Sequence, residues 1–156
     1  MKTASLKEIK TELVRVHPVR LLELCLRMAK YKKENKELLS YLLFDSYDEK
    51  AYIGAIKSQM DEQFKEANRS SVYLAKKSIR KILAATNIQI KFSGSQQTKL
   101  ELLIYFCKKL RKSGIPLSLN SALGKLYWRQ VQKAKESLST LHEDLQFDYS
   151  EEFSQL

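Results

Sequence analysis

The chain is poor in the residues that break or bend a backbone. Among 156 residues there are only 4 glycines and 2 prolines. A fold of many short strands and tight turns needs more of both, so long helices are expected. Cysteine is equally scarce. Cys25 and Cys107 stand 82 positions apart, with no C-x-x-C and no cluster with histidine. That excludes a disulfide framework as the source of stability, and both thiols are expected to be small buried hydrophobes in a reducing compartment. Long apolar runs are missing too. The longest, Leu102 to Cys107, is six residues, far short of the ~20 that span a bilayer. The opening MKTASLKEIKTELVRV holds no apolar h-region, so no signal peptide is read. The expectation is a soluble, cytoplasmic protein.

The usual signatures of chemistry are also lacking. There are two histidines, His17 and His142. His142 is followed by Glu143 and Asp144, yet no second ligand set stands at a metal-binding spacing. No phosphate-cradling glycine loop, nucleophile elbow or zincin helix occurs. No cofactor, no metal and no catalytic residue is assigned, and the chain is read as a non-enzyme.

What is present is helical periodicity. With 44% hydrophobic residues, a chain of this length can enclose a sizeable core. Ser5 and Glu8 form an S-x-x-E capping box, and Leu6, Ile9, Leu13 and Val14 recur at helical spacing, predicting a first helix over about 6–16. Pro18 opens a second helix to about 30, with Leu21, Leu22, Cys25, Met28 and Ala29 on one face. A third spans 35–44. A fourth, 47–67, follows the acids of Asp45–Glu49. A break at ANRSS, with Ser70 as cap, leads to a fifth over 70–86. Ile88, Ile90 and Phe92 then alternate with Gln89 and Lys91, a strand-like pattern without a partner strand, expected to be an extended loop pinned by its apolar side chains. The sixth helix, 96–113, ends at Gly114, and the seventh covers 119–142. The fold class is therefore all-α: an irregular stack of antiparallel helix pairs, about seven helices, loosely like a HEAT-type superhelix in pattern, with a closed bundle as the alternative. Pairs open near 18, 47 and 96, which gives no fixed repeat. Residues 1–142 are read as one domain. Residues 143–156 are read as an acidic, aperiodic tail, docked if at all through Phe147, Tyr149 and Phe153.

Charge is distributed in blocks. Residues 1–66 are near balance, with 13 basic and 11 acidic side chains. Residues 67–135 carry 15 basic side chains and one acid, Glu101, whereas 136–156 carry six acids and no base. An ordinary exposed helix face mixes both signs, so the middle block points to an anionic partner: an acidic protein or a nucleic-acid backbone. On helical faces the candidate anion-binding residues are Lys77, Arg80 and Lys81 of the fifth helix. Lys108, Lys109, Arg111 and Lys112 come from the sixth, and Arg129 and Lys133 from the seventh. Tyr73, Tyr105 and Trp128 stand among these cations and are candidate stacking rings. Residues 96–142, a helix, a glycine-containing turn and a basic second helix, loosely match a helix-turn-helix. The functional expectation is a helical binding module with a basic surface. A DNA- or RNA-binding protein using that segment is the alternative. The acidic end is read as a frayed, solubilising terminus, with docking over the basic block in competition with the anionic partner as the alternative.

Overall fold

A computed structural model describes residues 2–156. It is all-helical, helix packed on helix as expected, with eight α-helices and no strand among the described residues. None of these helices is long and apolar enough to cross a membrane. The chain divides into two compact units, Met1–Phe44 and Asp45–Leu156.

The first unit holds α1 (Leu6–Arg15), α2 (Pro18–Tyr31) and α3 (Lys33–Ser40). Its helix starts follow the sequence. Ser5 Oγ accepts from Glu8 N–H while the Glu8 carboxylate accepts from Ser5 N–H, closing the capping box. His17 Nδ1 accepts from Val19 N–H at 3.3 Å, so this histidine is a helix cap. α2 and α3 pack as a pair, tied by Asn35 Nδ2 donating to the Met28 carbonyl at 2.9 Å. Three short helices enclose no side chain fully: none of α1, α2 or α3 has a buried residue. Cys25 is accordingly exposed, contrary to the buried thiol expected there. The third helix also stops earlier than its apolar pattern suggests. It gives way at Tyr41–Asp45 to a single wider π-turn, which shifts the register of Leu42 and Leu43.

The second unit holds α4 (Glu49–Glu66), α5 (Val72–Ser93), α6 (Gln96–Lys112), α7 (Ala122–Ser139) and α8 (Glu143–Ser154). α6 is its axis. Leu100, Leu102, Leu103, Ile104, Phe106, Cys107 and Leu110 are all 2% exposed or less, so this helix is apolar nearly all round and packs against α4, α5 and α7. Burial pushes the Cys107 thiol up to about 12, which keeps it protonated and inert. One core joins Met60 and Phe64 of α4 to Ile79, Ile82 and Leu83 of α5, Phe106 of α6 and Tyr127 of α7. A second joins Leu100, Leu103, Ile104 and Ala134 to Tyr149, Phe153 and Leu156.

Three expectations change here. The segment Ile88–Phe92 is neither strand nor loop but the last turns of α5. Ile79, Ile82, Leu83, Thr86 and Ile90 keep a 3.6-residue period that overrides the short alternation. The helix ends only at Gly94, whose φ of 68° suits a residue without Cβ. The cap of α5 is Ser71, accepting from Leu74 N–H, because Ser70 turns back to Asn68 instead. Residues 143–154 form α8, capped by His142, whose Nδ1 accepts from Asp144 N–H. Tyr149, Phe153 and Leu156, at i, i+4 and i+7, share the inward face, while Phe147 lies off it at 80% exposed. α7 begins at Ala122 after Ser121, and Gly124 is required there: a Cβ would sit 1.8 Å from the Ser118 carbonyl oxygen.

Candidate functional site

The cations of α6 are used inside the unit. Lys109 pairs with Asp61 of α4 at 2.8 Å, and Tyr105 donates its hydroxyl to the same carboxylate at 2.8 Å. Lys57 and Lys109 also stand 5.5 and 5.4 Å from the centre of the Tyr105 ring. Tyr105 therefore has its hydroxyl and its ring both engaged, and the stacking role expected of it has no free face to act through. Lys108 pairs with Glu152 of α8 at 3.1 Å. Arg111 donates to the main-chain oxygens of Gln155 and Leu156 at 2.9 and 2.7 Å. Long basic stems on a central helix explain this: their methylenes cover the core and their heads reach acids on the flanking helices.

The Asp61 centre makes a prediction. The hydrogen bond from Lys109, joined by that from Tyr105, holds the Asp61 carboxyl below its usual range against a smaller opposing effect of burial. A carboxylate depressed in the folded state contributes stability above the usual carboxylate range, and that contribution is lost as the pH falls through the lowered pKa. Asp61→Asn should therefore lower the urea midpoint at neutral pH, by about 1 kcal/mol for one half-exposed charged hydrogen-bond pair. The gap from the parent should close in acid. An equal gap at every pH would assign the effect to shape alone.

The cations of α5 and α7 are placed differently. Lys77, Arg80, Lys81, Lys112, Arg129 and Lys133 are exposed. Among the described residues, none of them takes part in an ion pair. The single acid of the basic block, Glu101, is taken up by Lys57 at 3.1 Å and by the Tyr149 hydroxyl at 2.5 Å. Burial first, then that hydrogen bond, pushes the Tyr149 hydroxyl up to about 12. The basic block thus splits into a neutralised axis and uncompensated flanks.

Lys76 of α5 and Ala122 of α7 line one cavity, so both helices start at the same end of the unit. Arg80 lies at i+4 from Lys76, and Arg129 and Lys133 at i+7 and i+11 from Ala122, so each stays within about 40° of its cavity-lining residue round its own helix. Lys77 and Lys81 lie about 100° further round α5, and Lys112 ends α6. Tyr73 is 68% exposed, and Trp128 is 46% exposed with its ring edge-on to Tyr127 at 5.3 Å. Both rings remain accessible.

One polar cluster was not legible in the sequence. Glu49, at the start of α4, accepts hydroxyl hydrogen bonds from Ser93 and from the fully buried Thr98. With Lys57, Gln97 and Glu101 it lines a cavity of ≈620 Å³. Its residues come from 44–49 positions apart, and only the packing of α4 on α6 assembles them. Its two carboxylates are matched by donors, so no free acid–base pair stands out. No group of three or more His, Cys, Asp or Glu side chains among the described residues is placed to hold a metal. The connection between α6 and α7 runs over residues 113–121, longer than the three or four residues of a helix-turn-helix. Compared with family models, curated proteins and solved structures, the chain matches none.

Proposed function

We propose that this chain is a non-enzymatic helical binding module, acting without cofactor in the cytoplasm, whose basic surface on α5 and α7 takes an anionic macromolecule. One observation carries the reading. Acids from α8 and α4 pair with Lys108 and Lys109 of α6, while Lys77, Arg80, Lys81, Arg129 and Lys133 keep exposed charge without ion pairs among the described residues. Uncompensated charge of one sign is maintained against its own repulsion, and it raises the local concentration of a polyanion. Lys112 extends the same potential at the end of α6. An acidic protein surface and a nucleic-acid backbone both fit. The accessible rings of Tyr73 and Trp128 favour single-stranded nucleic acid among the latter, because a base stacks on any π-face.

The test is binding of mixed-sequence single- and double-stranded oligonucleotides at about 50 and 200 mM salt. If several phosphates are neutralised, affinity should fall by ~10³-fold across that range. Arg80→Glu, Arg129→Glu and Lys133→Glu together should abolish binding at low salt. Absence of binding at low salt would remove nucleic acid from the reading, and an acidic protein partner would then show a weaker salt dependence.

A further inference from the structure

We propose that the cavity where α5 and α7 begin binds a small carboxylate carrying a short apolar body. The cavity measures ≈480 Å³, within the range of small-molecule pockets. Its floor is hydrocarbon: Ala75 and Leu123 are 5% and 4% exposed, and half-buried Ile115 lines it with the exposed Val72 and Pro116. Its polar lining is one-sided. Arg69 and Lys76 supply charge, and no carboxylate lines it. The three serine hydroxyls present are already engaged. Ser71 Oγ accepts from Leu74 N–H at 3.2 Å, Ser113 Oγ donates to the Leu110 carbonyl at 2.6 Å, and Ser121 Oγ donates to the Ser118 carbonyl at 2.8 Å.

Arg69 is fixed before any ligand arrives. It donates to the carbonyls of Ser113 and Phe64 at 3.0 and 3.1 Å, which leaves further guanidinium N–H donors unused. Among the described residues, the Lys76 side chain makes no ion pair or hydrogen bond. The site therefore offers donors and positive charge and no carboxylate. Its complement is an acceptor-rich anion; an amine would meet like charge. The buried floor in turn selects a hydrocarbon body over a bare anion, because apolar area leaves water only against an apolar ligand. A carboxylate is the anion that combines one charge with such a body. This site takes one small molecule, whereas the surface along α5 and α7 meets a row of charges.

The experiment is titration of octanoate, octanol, octylamine and inorganic phosphate into the full chain, followed by amide chemical shifts. Octanoate should saturate, with shifts concentrated at residues 69–76 and 113–123. The other three should bind at least about tenfold more weakly, one decade being the loss of one good interaction. Ala122→Trp narrows the mouth without changing charge. It should weaken octanoate about tenfold or more and leave oligonucleotide binding unaltered, which separates this site from the polyanion surface. Lys76→Gln, a substitution at a half-exposed helix position, should weaken octanoate and spare octanol. Failure of octanoate to saturate, equal binding of octanol or phosphate, or undiminished octanoate binding in both variants would overturn the proposal.

Discussion

Replacing Phe106 by alanine should destabilise the second unit by about 3–5 kcal/mol, the range for deleting a large buried aromatic. Phe106 is fully buried in the middle of α6, with its ring 5.8 Å from that of Phe64. The change removes apolar area from the core that joins α4, α5, α6 and α7. It also removes an aromatic pair worth roughly 0.5–1.5 kcal/mol beyond its area. Because helices enclose α6 on several sides, collapse into the space requires more than one of them to move, and the loss should sit high in that range. Domains of this size are stable by only about 5–15 kcal/mol, so the variant should be marginal. Urea unfolding should show a lower midpoint at nearly unchanged m-value. A loss below about 1 kcal/mol would mean that Phe106 faces solvent and that α6 is not the axis.

That axis was only half legible in the sequence. The stripe Leu100, Leu103, Ile104, Cys107 and Leu110 follows from a period of 3.6, and all five are buried. On the same wheel Leu102 falls beside Lys109, and Phe106 falls between Lys109 and Leu110, yet both are fully buried. A helical wheel allots one face to solvent, and a helix surrounded by others has none to give. The lysines there resolve the conflict by length. Their stems lie along the core and their heads meet Asp61 and Glu152, partners separated from them by 44–48 positions that no local pattern connects. The cap of α1 was more readable, because the Ser5–Glu8 box closes within three residues, whereas at α5 Ser71 takes the place expected of Ser70. The strand-like reading of Ile88–Phe92 failed because alternation over five residues is also compatible with three half-buried positions on a helix. Here the longer period of α5 decided. The exposed cations of α5 and α7 were legible as types. The cavity that Lys76 and Ala122 share at the starts of the two helices rests on tertiary packing that no local pattern encodes.

Removing residues 143–156 should do two things that a dangling acidic tail would not do together. α8 closes the second core through Tyr149, Phe153 and Leu156. Its loss uncovers Leu100, Leu103 and Ile104, each at most 2% exposed in the full chain. Stability should fall by about 3–9 kcal/mol, taking two or three side-chain burials at about 1.5–3 kcal/mol each. The same deletion removes five acids and releases Lys108 and Arg111 from Glu152 and the 155–156 main chain. Affinity for a polyanion at low salt should therefore tighten under conditions where the shortened chain stays folded. Glu152→Gln separates the two effects. It frees Lys108 without opening the core, so stability should change by less than about 1 kcal/mol, as for other exposed pairs. Oligonucleotide affinity should still rise modestly at low salt and not at high salt. If Glu152→Gln left affinity unchanged while the deletion raised it, the released Arg111 and the net charge would be the cause. If neither variant bound polyanion more tightly, α8 would be a structural helix whose acids serve only the core it covers.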